Sequence, residues 1–127
     1  MARRRISSGG TYEQIMGYCR AVRVGDHIYV AGTAPIMPGD ADPPTDSYGQ
    51  TRRCFEIIGT ALEEAGAGFE HVVRTRIFVT PQADFSGVAR AHGEIFRDIR
   101  PVNTTVSSKS LVDARWLVEI EADAVLG

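Results

Sequence analysis

The order of elements along the chain predicts an α/β protein of the α+β kind, a single mixed β-sheet with two helices packed on one of its faces. Three observations lead there. The 127 residues suit one domain, since domains most often run to ~100–150 residues. Short runs alternating with period two lie both before and after two stretches whose apolar residues recur at three- and four-residue steps. The last alternating run has one apolar face and one acidic face, so only one side of the sheet asks for helical cover.

Taken in order, Arg3–Ser8 can form an edge strand that Gly9 and Gly10 break. Cys19–Val24 and His27–Thr33 are rich in β-branched and aromatic residues and are separated by Gly25-Asp26, a pair suited to a tight hairpin turn. Residues Pro35–Pro44 are dense in proline, glycine and aspartate and read as a long surface loop. Asp46 or Ser47 can cap a helix with Cys54, Ile57, Ile58, Ala61, Leu62 and Ala65 on its buried stripe, and Gly66 ends it. His71–Thr80 is a strand with Val73, Thr75, Ile77 and Val79 on one face and Arg74, Arg76 and Phe78 on the other, stopped by Pro81. A second helix runs from Asp84 to about Asp98 and buries Phe85, Val88, Ala91, His92, Ile95 and Phe96. Strands Val102–Lys109 and Arg115–Val125 complete the sheet.

Composition narrows the function. The chain is 43% hydrophobic and 24% charged, the balance of an ordinary globular domain. A net charge of −2 is a poor match for a phosphate backbone, so no nucleic-acid partner is expected. No apolar run reaches the ~20 residues of a membrane span, and the start has charge without an apolar targeting segment, so a cytoplasmic protein is expected. Cys19 and Cys54 lie in different elements without metal-ligand spacing, and no two histidines stand four apart. Neither disulfide nor metal is expected. All but one of the 14 basic residues are arginine, Lys109 being the exception, a composition that suggests a GC-rich bacterial source.

Two constellations could carry chemistry. Glu119, Glu121 and Asp123 stand in a row on one face of the last strand, ~7 Å apart. Arg74 and Arg76 have the matching spacing, so a cross-strand charge ladder explains the row as readily as catalysis does. If one of these carboxylates lies at a cleft, it can position a water and take its proton. His92 places a group that titrates near neutrality in the buried stripe of the second helix, where it is either a hydrogen-bonded core histidine or a proton donor. Asn103, Thr105 and Ser107 share one face of a polar strand that could wall a site or simply form an edge.

The ordered set Gly17-Tyr18, Gly25-Asp26, Ala31-Gly32-Thr33, Gln50-Thr51-Arg52, Ala65-Gly66, Pro101-Val102-Asn103 and Val118-Glu119-Ile120-Glu121-Ala122 resembles the Rid family. These are the reactive intermediate deaminases, also labelled YjgF or endoribonuclease L-PSP. The resemblance implies a chorismate-mutase-like fold and a homotrimer with a central barrel-like core, whose clefts between subunits bind a small imine or enamine metabolite. It implies hydrolytic deamination with Glu119 helping to activate water; no cofactor is expected, because water, a carboxylate and a proton donor suffice for imine hydrolysis. Where the family's deaminases carry an arginine that binds the substrate carboxylate, this chain has Asn103. Asparagine cannot supply a charged bidentate fork, so altered recognition is expected. Ala31, Thr105 and His92 stand where serine, cysteine and tyrosine are frequent, whereas Tyr18 and Gly32 agree with the family. The expected site is then Glu119 and His92 for catalysis, with Tyr18, Arg20, Ala31, Gly32, Thr33, Asn103 and Thr105 around the substrate. Arg20 could replace the missing charge. A non-catalytic trimer that binds a small metabolite is the alternative.

Overall fold

The computed structural model describes residues 2–127. Among the described residues six strands, β1 (Arg3–Ile6), β2 (Ala21–Val24), β3 (His27–Thr33), β4 (Val72–Val79), β5 (Val102–Ser107) and β6 (Val118–Val125), accompany three α-helices, α1 (Thr11–Met16), α2 (Ser47–Glu64) and α3 (Phe85–Phe96). They form one sheet in the order β1-β2-β3-β6-β4-β5. Among the described residues only β4 and β5 run parallel, joined by α3, so the sheet is mixed as expected.

The core follows from the alternation of β6. Val118, Ile120, Ala122 and Ala124 are buried on one face, against Phe55, Ile58 and Leu62 of α2 and Val88 and Phe96 of α3. Phe55 meets Phe69, Phe96 and His92 edge-on, with centroids 5.4–6.2 Å apart, a favoured geometry for aromatic pairs. Glu119, Glu121 and Asp123 alternate with that set and stay half-buried on the face without helices.

Several boundaries differ from the sequence reading, each for a local reason. Helix α1 was not expected; Gly17 closes it at φ +78°, donating its N–H to the Glu13 carbonyl. Strand β2 starts at Ala21, so Cys19 and Arg20 precede it. β6 starts at Val118 because Asp113 accepts from the Arg115 backbone and side chain and turns the chain there. In β4 the register slips between Val72 and Arg74. Val72 therefore faces the core and Val73 is 45% exposed, the reverse of simple alternation. Phe85, at the first position of α3, is exposed rather than buried, and Phe55 fills the core instead.

Candidate active site

The site begins at an irregularity in β3. Val30 pairs with Ala122 and Thr33 with Ile120, so three steps on β3 span two on β6, and the extra residue falls at Ala31-Gly32. Glu119 lies against this bulge. A Cβ on Gly32 would come 2.6 Å from Glu119 Oε2, so only glycine leaves room for the carboxylate where it sits.

Arg20 holds the other side of the bulge. Its Nη1 donates to the Gly32 carbonyl at 2.6 Å and to Thr33 Oγ1 at 3.0 Å, and its Nη2 donates to the Tyr18 hydroxyl at 3.3 Å. The Thr33 hydroxyl donates a hydrogen bond to the Ala31 carbonyl, and the Ala31 N–H donates to the Arg20 carbonyl, at 2.8 and 2.9 Å. The buried Glu13 of α1 lies 3.9 Å from Arg20 Nε and accepts from the hydroxyls of Ser7 and Ser8. Burial alone would raise the Glu13 carboxyl, but the bonds from Ser8 and Ser7, with Arg20 behind them, hold it below the usual carboxylate range. Glu119 is moved the other way. Burial raises it, Arg20 opposes the shift and Glu121 adds to it.

The acidic row divides. Arg76 Nη1 binds Glu121 Oε1 at 2.9 Å and lies 3.8 Å from Asp123, and Arg74 Nε is 3.6 Å from Asp123. The charge ladder therefore explains Glu121 and Asp123. It does not explain Glu119, whose partner in register on β4 is Phe78. Among the described residues Glu119 has no ion pair within 4.0 Å.

A second cluster lies on the helix-covered face. Asn103 Nδ2 donates to Thr75 Oγ1 at 3.0 Å, Thr105 Oγ1 donates to Asn103 Oδ1 at 3.0 Å, and Thr75 Oγ1 meets His92 Nε2 at 2.9 Å. Because Thr75 already accepts from Asn103, its own proton is free for the imidazole. Burial lowers the His92 pKa and favours the neutral ring that can accept it. The structure thus links His92, Asn103 and Thr105 and separately links Tyr18, Arg20, Ala31, Gly32, Thr33 and Glu119. It does not bring the expected catalytic pair together. Within one chain Glu119 and His92 stand on opposite faces of the sheet, because Thr75 pairs with Ala122 of the buried set while Glu119 belongs to the alternate set.

An open groove of about 570 Å³ adjoins the Arg20 cluster and is lined by Tyr12, Tyr18, Thr33, Ile36, Arg53, Arg115 and Trp116 among others. Glu13 and the α1 residues of this wall escaped the sequence reading. Gly17, placed to end a short helix, was the signal that could have shown them. Among the described residues there is no group of three metal-ligating side chains, and no helix is long and apolar enough to cross a membrane. The Cys54 thiol is pushed up by burial first and by Glu119 second, and so is not activated as a nucleophile.

Fold and site together define a small α+β protein of the YjgF and Rid kind. The model of the family described as Endoribonuclease L-PSP matches residues 11–126, and the chain belongs to that family. It is similar to a Mycobacterium tuberculosis structure, Rv2704, of the YjgF/YER057c/UK114 family, at 41% identity and a TM-score of 0.89, covering 98% of this chain and 100% of that one. It is also similar to YyfA of the Rid family from Yersinia pestis, at 29% identity and a TM-score of 0.86, covering 98% and 100%. An uncharacterized Streptomyces coelicolor protein, SCO2049, is 38% identical over 98% of this chain and 92% of its own length.

Proposed function

We propose that this protein hydrolyses reactive imines or enamines in a cleft completed between copies of the chain, with Glu119 as the general base. The observation that carries this is the solitary status of Glu119. It is a half-buried carboxylate with a raised pKa, left out of the charge ladder and accommodated by the missing side chain of Gly32. Such a group can take a proton from water near neutral pH and return it in the same cycle.

The second wall comes from a neighbouring copy in this reading. Asn103 lies exposed on the edge strand β5, with Thr105 beside it and His92 behind. A homotrimer that packs helix-free faces together would bring this edge toward Glu119 of the next subunit. Water then attacks the imine carbon, its oxygen forms the new bond, and the C=N pair moves to nitrogen. Glu119 accepts one proton of the water and delivers it to nitrogen. As the carbinolamine collapses, its hydroxyl proton follows and ammonia leaves, so one water and one imine give one carbonyl and one ammonia. His92, linked through Thr75 and Asn103, orients the wall and can assist proton transfer. Asn103 in place of the family's arginine supports altered substrate recognition.

The word endoribonuclease in the family description receives little support here. The net charge is −2, and the basic run Arg3–Arg5 lies on the edge strand β1, away from Glu119. The test is ammonia release from imines generated in situ by amino-acid and amine oxidases. Acceleration by the wild-type protein that Glu119→Gln abolishes supports hydrolysis. No acceleration for any imine removes the catalytic reading and leaves a metabolite-binding trimer.

A further inference from the structure

The bulge at Gly32 is gripped from one side and occupied from the other. A Cβ there would lie 2.6 Å from Glu119 Oε2, so the carboxylate rests against this residue. From the other side Arg20 Nη1 donates to the Gly32 carbonyl at 2.6 Å and to Thr33 Oγ1 at 3.0 Å. The Arg20 carbonyl accepts from the Ala31 N–H, and its own N–H donates to the Ile6 carbonyl at the end of β1. Main chain and side chain thus hold the bulge together, and a shift of Arg20 would move the backbone that seats Glu119.

Arg20 is itself held. Its side chain is 8% exposed, and its Nε is buried with no hydrogen-bond partner among the described residues. Buried donors are rarely left unpaired, so this guanidinium is placed for its Nη contacts at the expense of Nε. The balancing charge is Glu13 of α1, 3.9 Å away and 6% exposed. Ser7 and Ser8, between β1 and α1, donate their hydroxyls to Glu13, and Ser8 adds its N–H, which keeps that carboxylate ionised.

Few charges act on Glu119. Gly32 abuts it from β3, Phe78 is its register partner on β4, and the Cys54 thiol of α2, which feels its charge, is kept neutral by burial. Glu121 on β6 disfavours its ionisation but is paired with Arg76, and Arg20 is the cation that favours it.

We propose that Arg20 and Glu13 form a positioning pair for Glu119, Arg20 fixing the bulge that seats the carboxylate and Glu13 holding Arg20 in place. This rests on the hydrolytic reading of Glu119 and names what prepares that residue. The pair also sets the field at the base, because the arginine favours the ionised form and Glu13 offsets part of that influence. The two residues share one ion pair yet act on Glu119 in opposite senses.

The test titrates the Glu119 carboxyl by carbon-13 NMR, assigned against Glu119→Gln, and follows kcat and KM across pH with an imine the wild type consumes. Glu13→Gln leaves the arginine charge unopposed, so Glu119 should titrate at lower pH than in wild type, and the acid limb of kcat should move with it. Adding Arg20→Met removes both charges without stranding either, and the titration should move above wild type. If one of these two fails to fold, the other decides. Arg20→Lys keeps the charge but loses the planar fork across Gly32 and Thr33. Its Glu119 should titrate near wild type while kcat falls about tenfold or more. A folded Glu13→Gln or double variant whose Glu119 titrates as in wild type overturns the proposal. So does Arg20→Lys with a raised KM and unchanged kcat, the pattern of a direct substrate contact. No acceleration of any imine by wild type overturns the hydrolytic reading alone, since the carbon-13 titration needs no substrate.

Discussion

Glu119 sits where its chemistry and its stability pull apart. A carboxyl whose folded pKa lies above its unfolded value favours folding when protonated and loses that contribution as pH rises through the folded pKa. At pH 7 the ionised Glu119 is therefore a liability to the fold. Glu119→Gln is expected to melt above wild type at pH 7, with the gap closing as pH falls through the Glu119 titration, while imine hydrolysis drops about 10²–10⁴-fold. Thermal melts across pH, paired with ammonia assays, check both halves. The wild-type rate should fall on acidification at a pH above that of an ordinary glutamate, since burial raises this one. Thr75→Val tests the other wall. It strips the shared partner from Asn103 Nδ2 and His92 Nε2 and should cost about 1–3 kcal/mol in urea unfolding. Some of this was legible in the sequence and some was not. The two-residue spacing of Arg74 and Arg76 marked the ladder, but not which acid it would leave over, because that depends on register between β4 and β6. His92 was visible as a histidine within the apolar stripe of α3, and it is half-buried there, yet its partner Thr75 is 17 positions away and no local pattern links them.

Among the elements, those with long periodic patterns were readable and those made by irregularities were not. α2, α3 and the β2–β3 hairpin follow from apolar spacing and from Gly25 at φ +60°. The bulge at Ala31-Gly32 and the slip at Val72 add one residue to a strand and leave no composition signal, although one of them makes room for Glu119. Gly32→Ala should expose this role. The flexible carboxylate can swing away from a new Cβ, so the melting temperature should change by only a few degrees while hydrolysis falls sharply. A loss of fold instead would mean that the bulge is structural first. Gln50 acts at the same scale. Buried in α2, it donates to the Pro44 and Arg115 carbonyls and accepts from the Leu117 N–H, so one side chain fixes both the loop before α2 and the start of β6. Gln50→Ala should cost about 3 kcal/mol by chemical denaturation, from the stranded polar groups and the space left behind.

At the scale of the whole molecule, the helix-free face sets the account. It carries a charge ladder whose members are 28–43% exposed in the single chain, where such pairs are worth roughly 0–1 kcal/mol each. Burial between copies would raise the stakes, because an unpaired ion there is costly. Arg76→Glu, which sets a third acid beside Glu121 and Asp123, should therefore elute from a sizing column as a smaller species than wild type. The alternation of β6 made this uncovered face visible from the sequence. What alternation could not show is that Glu119 and the Asn103–His92 wall lie on opposite sides of one sheet, since that follows only from which strand each element packs against. The proposed shared cleft would resolve the separation, and complementation measures it directly. Glu119→Gln and a wall-blocked Asn103→Trp variant, each inactive alone, are co-expressed and assayed for ammonia release from an imine the wild type consumes. If the chain assembles as the proposed trimer, random assortment leaves about a quarter of the clefts with both walls intact, so partial activity should return. Mixed trimers that form and stay inactive would contradict a site built from two chains.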